Sequence, residues 1–198
     1  MRRSLLTLAT LVVLSAIAAS SALGAGVSVR VEGKTQTIFG SLEKRFEGGA
    51  NPLQSLEAAS LRGEFYYHVA VTGFGPYVDQ IGRYAGGGSA GWVFKVNGAS
   101  PPVGADKVQL RPGDRVLWYW ATFGPTGGPP TLQLTRLRRN CYRVVSENDA
   151  GRDSVASGAV LVVDGRRART RAGRACVGRH TGLVRATMAG AVRSNALR

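Results

Sequence analysis

The stretch that decides the fold of this chain is GWVFKVNG, residues 91–98, which follows a run of glycines. In an extended strand, side chains alternate between the two faces, so Trp92, Phe94 and Val96 share one face while Lys95 points to the other. Two large aromatic residues on one strand face either fill a core or form one wall of a binding site. The rest of the sequence bears on that choice.

A second strand with the same alternation lies downstream. In RVLWYW, Val116, Trp118 and Trp120 share one face, and Leu117 and Tyr119 share the other. A domain of this size buries one sheet face under one helix, so the face of Leu117 and Tyr119 is surplus, meaning that the core does not require it. We therefore expect an exposed aromatic surface beside the glycine-rich loop. The competing interpretation is that each aromatic residue is simply core.

Six aromatic residues are the candidates for a ligand-binding surface. They are Tyr77, Tyr84, Trp92, Phe94, Trp118 and Trp120.

The segment before these strands predicts one helix, over residues 51–63. Asn51 is a suitable N-cap and Pro52 suits the first helical position, with Gly63 at the end. Strands are predicted at GVSVRVEG, FYYHVAVTG, GWVFKVNG, DKVQL and DRVLWYWA, and RPGD (residues 111–114) fits a type II turn. One helix on a small mixed sheet predicts an α+β domain of β-grasp type over residues 25–121.

A Gly/Pro-rich segment, residues 122–130, predicts a linker. The remaining residues, 131–198, lack a helical period and contain evenly spaced short extended runs, which indicates an all-β sandwich. Those runs are LQLTRLR, CYRVVSEN, AVLVVDG, RARTRAG, ACVG and GLVRATMAG.

The first 24 residues fit a secretory signal peptide. Arg2 and Arg3 precede an apolar run at residues 5–19, and Ala22 and Gly24 occupy the −3 and −1 positions for cleavage. An uncleaved membrane anchor is the alternative, and it needs a longer apolar run. We expect a secreted or envelope-associated protein with no transmembrane segment after cleavage.

Cys141 and Cys176 are the two cysteines of the chain. In an exported protein they most simply form one disulfide. Two buried free thiols are the alternative. A metal site is not indicated, because the cysteines lack C-x-x-C spacing and His68 and His180 have no acidic neighbours at ligand spacing.

The charge is uneven along the chain. Lys and Arg total 26 against 12 acidic residues, and without Arg2 and Arg3 the net charge is +12. Residues 131–198 carry 14 Arg, no Lys and four acids, a net +10. Such a region can contact anionic envelope polymers. Nucleic acid is not indicated, because no aromatic residues are interleaved for base stacking; a compositional bias toward Arg is the other explanation.

One stretch matches a catalytic motif in its residue pattern but not in its predicted structural context. Residues 87–91 match G-x-S-x-G around Ser89, but glycines precede the serine and a strand follows it, the reverse of a nucleophile elbow. His180 is the only histidine downstream, beyond the linker. We therefore expect no enzymatic activity, no catalytic residues and no resident cofactor.

The stretch FGPYVDQIGRYAGGGSAGWVFKVNGASPPVGADKVQLRPGDRVLWYW, together with NPLQSLEAAS, resembles the transcobalamin-like C-terminal domain of secreted bacterial proteins. The resemblance spans about residues 26–121. It implies a β-grasp-like fold and cobalamin as a ligand that could bind. In animal cobalamin carriers the domain covers one side of the corrin ring and a helical barrel holds the other, and this sequence predicts no such barrel. The residues that carry the resemblance are Gly91, Trp92, Phe94, Val96, Asn97, Gly98, Gly104, Leu110, Gly113, Asp114, Val116 and Trp118.

The second domain resembles, less specifically, carboxypeptidase regulatory-like or transthyretin-like sandwiches, through SGAVLVVDGRRARTRAGRACVG and VRATMAGAVRSNALR. That resemblance implies a spacer or interaction module. Two functional hypotheses follow. The first is a non-catalytic exported binding module for a corrinoid, another flat molecule or a partner protein. The second is a structural or adhesion protein whose basic sandwich contacts the cell envelope.

Overall fold

The computed structural model describes residues 26–198. The signal-peptide prediction for residues 1–24 lies outside the described residues. Within them, the chain is mostly β-structure with one helix, α1 (Pro52–Gly63). No helix of this part is long and apolar enough to cross a membrane. The strands are β1 (Gly26–Glu32), β2 (Thr37–Phe39), β3 (Arg45–Glu47), β4 (Tyr67–Thr72), β5 (Gly75–Ile81), β6 (Tyr84–Ala85), β7 (Ala90–Val96), β8 (Arg115–Thr122), β9 (Thr131–Arg138), β10 (Cys141–Glu147), β11 (Asp153–Val155), β12 (Val160–Val163), β13 (Arg166–Arg169), β14 (Arg174–Cys176), β15 (Val184–Thr187) and β16 (Ala196–Leu197).

The N-terminal part is built on a mixed five-stranded sheet. Its order is β2-β1-β8-β7, with β3 also paired to β1, and β1 runs parallel to β8 while its other pairings are antiparallel. A second sheet, β4-β5-β6, and helix α1 contribute to the same apolar core. That core includes Val29 from β1, Leu56 from α1, Ile81 from β5 and Trp118 from β8.

Helix α1 begins as the sequence predicts. The Asn51 side chain accepts a 2.9 Å hydrogen bond from the backbone N–H of Gln54, and Pro52 occupies the first turn, where a missing N–H costs nothing. The helix ends at Gly63, and Glu64 adopts a left-handed conformation with φ 50°.

Replacing Asn51 with alanine should lower the free energy of unfolding by about 1 kcal/mol, the usual cost of losing an N-cap acceptor. Urea denaturation measures this loss. The Asn51→Ser variant is the control and should keep most of the stability, because serine also accepts a bond from the first turn. A loss of equal size in both variants would contradict the capping role.

The region from residue 131 onward consists of two four-stranded sheets around one core, which confirms the β-sandwich character. In one sheet β10 pairs with β9, β11 and β14, and the other has the order β13-β12-β15-β16. Leu134, Tyr142, Leu161 and Val184 are fully or almost fully buried between them. Strands β11 and β16 were not predicted. In the N-terminal part, DKVQL is not a strand, and a turn at residues 105–107 replaces it.

The predicted disulfide is confirmed between Cys141 and Cys176, which lie directly opposite each other on β10 and β14. The bond closes a loop with a sequence separation of 35 residues. The described chain therefore has no free cysteine. A structural disulfide is consistent with an extracellular protein.

The second face of the mixed sheet is covered by the sandwich. Leu117 and Tyr119 are 8% and 2% exposed, and they form a small apolar cluster with Val192 from the sandwich. The expectation that this face is surplus and open is therefore wrong. Two apolar parts that are distant in sequence bury it against each other.

Buried charge joins the two parts at the same interface. The side chain of Glu32 on β1 is fully buried and contacts the guanidinium groups of Arg185 and Arg193 at 2.9 and 3.0 Å. Arg30, also buried, lies 3.4 Å from the same carboxylate. Burial lowers the pKa of Arg185, and Glu32 opposes that shift. Thr37 donates a further hydrogen bond to Glu32.

Lys95 makes the second polar contact across the interface. Its side chain is fully buried, and its ammonium group donates to the carbonyl oxygens of Glu147 and Asn148 at 3.0 and 2.9 Å. The carboxylate of Asp149 lies 3.7 Å away. Burial lowers the pKa of Lys95, while Asp149 and Glu147 oppose the shift.

Candidate functional site

The six candidate aromatic residues do not form one open surface. Trp92 and Trp118 are only 1% and 2% exposed and belong to the core under the mixed sheet. The expected exposed surface is therefore wrong for these two residues. Phe94 and Trp120 are half-buried, and Tyr77 is 44% exposed. Only the edges of the core aromatics can face a ligand.

Tyr84, Trp92 and Trp120 form one packed cluster. Their ring centroids lie 5.8 to 6.4 Å apart, mostly edge to face. The indole N–H of Trp92 donates to the backbone carbonyl of Tyr84 at 2.8 Å. The Tyr84 hydroxyl bonds Thr35, and the Arg83 side chain lies against it, which lowers the pKa of that hydroxyl. This cluster holds β6 against the sheet.

A cleft of about 310 Å³ lies along the free edge of β7. Four of the six candidates line it, whereas Tyr84 and Trp120 do not. The lining combines β5, β7, β8, the loop after β7 and one acidic residue of the sandwich. The lining residues are Pro76, Tyr77, Val78, Trp92, Val93, Phe94, Ser100, Pro101, Gly104, Ala105, Trp118, Tyr119, Phe123 and Asp149.

Tyr77 reaches across the edge strand because the chain has a glycine there. A Cβ atom placed on Gly91 would lie 2.6 Å from the Tyr77 hydroxyl oxygen. Any side chain at position 91 would therefore push the phenol ring away. The presence of glycine at position 91, before Trp92, is therefore explained by the close approach of the Tyr77 ring to the backbone.

Asp149 is held at the cleft by the loop after β7. The backbone N–H of Ser100 donates to the carbonyl oxygen of Asp149 at 2.8 Å, and the Ser100 hydroxyl lies 3.2 Å from its carboxylate. The carboxylate stays 55% exposed. Burial, with Asp149 nearby, raises the pKa of the Tyr119 hydroxyl. The cleft therefore has aromatic walls and one anionic, hydrogen-bonding corner.

Sequence reasoning missed several cleft residues. Phe123 is 43% exposed and lies in the predicted linker, whereas Tyr119 was assigned to the opposite, surplus face. Asp149 comes from beyond the linker, and no local pattern points to it. For Phe123, a large aromatic residue among glycines and prolines was the one available signal.

Trp120 lines a separate cleft of about 280 Å³ between the two parts, together with Lys34 and Arg193. Arg193 is already engaged there, because it bonds Glu32 and the carbonyl oxygen of Gly33. Arg193 at this cleft therefore serves the interface, and Trp120 packs within the N-terminal aromatic cluster.

Within residues 26–198, Ser89 and the two histidines of the chain lie apart from one another, each with its own contacts. Ser89 has no side-chain hydrogen bond to a histidine or carboxylate in this range. His68 pairs with Asp79 at 2.7 Å on an exposed hairpin, and His180 accepts from or donates to the Tyr142 hydroxyl at 2.8 Å. The described residues contain no group of three or more ligands suited to a metal ion.

This geometry defines a class of protein: a two-part, β-rich chain with a small aromatic cleft on the edge of its first sheet. Residues 55–122 match the model of a family described as a domain of unknown function (DUF4430). The match spans 68 of the 198 residues, from within α1 to the end of β8, and contains most of the cleft. It is consistent with a transcobalamin-like domain. No curated protein matches the chain.

Proposed function

We propose that this protein is a non-catalytic, exported binding module that takes a flat, mainly apolar ligand in the β7 cleft. The observation that carries this proposal is the meeting of Tyr77, Phe94 and Phe123, all at least partly exposed, in one cleft beside Asp149. Small-molecule sites combine apolar and aromatic walls with a few polar groups that fix orientation. The disulfide supports the exported location.

The size of the cleft limits the ligand. About 310 Å³ is at the lower end of the volumes of small-molecule sites. The cleft therefore accommodates a compact flat ligand, or one edge of a larger one. The proposal includes a β-grasp arrangement for the N-terminal part, as the transcobalamin-like resemblance implies. A corrinoid in this cleft would be contacted on one side only. A partner would have to cover its other side.

The binding test uses the full mature chain with two probes, cyanocobalamin as the corrinoid and the uncharged N-phenyl-1-naphthylamine as a flat aromatic probe. We expect Tyr77→Ala to weaken probe binding by at least about fivefold, because an aromatic contact of this kind contributes about 1 kcal/mol beyond its buried area and the lost area adds to it. Isothermal titration measures the affinity of each variant.

Tyr66→Ala is the matched control, because Tyr66 is also an exposed tyrosine (58% exposed) and does not line the cleft. The Tyr66→Ala variant should bind each probe with the same affinity as the unmodified protein. Binding of neither probe at tens of micromolar would overturn the proposal. Binding of the aromatic probe alone, lost in Tyr77→Ala, would keep the cleft and exclude the corrinoid.

A further inference from the structure

The sandwich carries three arginines on adjacent rows of one sheet face. In the register of β10, Arg143 lies directly opposite Arg174 on β14. Cys141, two residues earlier, lies opposite Arg138 on β9, where a register shift places Arg138 on the other face from Arg136. Residues directly opposite each other point to the same face of a sheet. Arg138, Arg143 and Arg174 are all exposed. They therefore form one cationic cluster on the outer face.

None of the three has an ion-pair partner within residues 26–198. No side-chain hydrogen bond from these arginines occurs there either. Glu147, the nearest acid along β10, lies four residues from Arg143, about 13 Å at strand spacing, and it faces Arg115. Like charges directly opposite each other in a sheet are destabilising. The folded chain thus carries a repulsion that a bound anion would remove.

The surface beside the cluster is concave and stiff. A cleft of about 420 Å³ is lined by Arg138, Arg174 and Leu137 together with both half-cystines. The disulfide Cys141–Cys176 joins the two strands in the row next to the opposed arginines. Their separation is therefore held by a covalent bond. Planar guanidinium groups at fixed spacing suit bidentate contacts with successive phosphates.

We propose that this face binds a linear phosphate polymer, with Arg138, Arg143 and Arg174 contacting consecutive phosphate groups. The site is independent of the β7 cleft. Its exposed apolar neighbours are Leu137 and Val155, 48% and 57% exposed. Tyr142 lines the adjacent cleft but is fully buried, so it offers no open ring face for stacking. A phosphate backbone without bases therefore fits better than single-stranded nucleic acid, which needs stacking platforms. Anionic cell-surface polymers with a polyol-phosphate backbone have this chemistry.

The test compares the full mature chain with two double variants of equal charge change. Arg143→Gln/Arg174→Gln alters the cluster, and Arg167→Gln/Arg169→Gln alters two exposed arginines on β13. The probes are inorganic polyphosphate, poly(glycerol phosphate) and single-stranded DNA, in a fluorescence competition assay at several salt concentrations. All four positions are exposed, and circular dichroism checks that each variant is folded.

We expect the cluster variant to bind both phosphate polymers at least about tenfold more weakly, and the β13 variant to change affinity by less than about threefold. Binding should weaken as salt rises. Binding of inorganic polyphosphate alone would support the site and assign it to soluble polyphosphate. An equal loss in both variants, no binding at low salt, or tighter binding of single-stranded DNA would overturn the proposal.

Discussion

Replacing Glu32 with alanine should lower the free energy of unfolding by about 3–5 kcal/mol, the usual cost of removing one partner from a buried ion pair. The reason is that Arg30, Arg185 and Arg193 converge on this carboxylate, whose side chain is fully buried. Without it, Arg185 and Arg193 lose their carboxylate partner at the interface, while Arg30 keeps its contact with Glu43 at 2.9 Å. Equilibrium denaturation in urea measures the loss.

The tryptophans of the chain make the experiment more informative. Trp92, Trp118 and Trp120 all lie in the N-terminal part, so their fluorescence reports the unfolding of that part alone. Far-ultraviolet circular dichroism reports both parts. In the unmodified protein the two signals should change together, and in Glu32→Ala they should separate, because the interface loses its main polar contact.

Glu57→Ala is the control for this substitution. Glu57 is exposed on helix α1, and its replacement should change stability by no more than about 0.5 kcal/mol. If Glu32→Ala and Glu57→Ala had equally small effects, the buried network would not hold the two parts together.

Local patterns predicted local structure well. Asn51 and Pro52 mark the start of α1, and the alternation of residues in β7 and β8 predicted which side chains share a face, although not that these faces are buried. The turn at RPGD also forms, with Gly113 at φ 97°. In each case the physical cause lies within a few residues of the feature, in a cap, a period of two or a backbone angle.

The interface could not be predicted in the same way. Arg30 and Glu32 alternate with buried valines on β1, a pattern typical of a strand with one solvated face. They are buried because Arg185 and Arg193, more than 150 residues later, lie against them. Charged residues at alternate positions usually indicate a solvent-exposed face, and here their partners come from the sandwich, Arg185 from β15 and Arg193 from the loop after it.

The candidate site was predicted in part for the same reason. Tyr77, Trp92, Phe94 and Trp118 line one cleft, as neighbours on two paired strands and the hairpin beside them. Their exposure was not predictable, since it depends on how β5 and the sandwich cover the sheet. Asp149 entered the site through a contact with the loop after β7 that only the packing of the two parts creates.

Replacing Lys95 with methionine should lower the free energy of unfolding by about 2–4 kcal/mol. Methionine keeps most of the apolar stem but leaves the carbonyl oxygens of Glu147 and Asn148 without their charged donor. A hydrogen bond to a charged group contributes about 1.5–3 kcal/mol, and relief from burying the ammonium group offsets part of the loss. Urea denaturation followed by circular dichroism measures the change in the free energy of unfolding.

Lys107→Met is the matched control, because the Lys107 side chain is 72% exposed and its contact with Asp106 is a surface pair. Its stability should stay within about 0.5 kcal/mol of the unmodified protein. Unchanged or increased stability in Lys95→Met would show that burying the ammonium costs as much as its contacts contribute. Because Lys95 also fixes the turn that carries Asp149, its loss should weaken binding of the flat aromatic probe at the β7 cleft, whereas Lys107→Met should not. Stability and binding falling together would show that the sandwich helps to shape the ligand site.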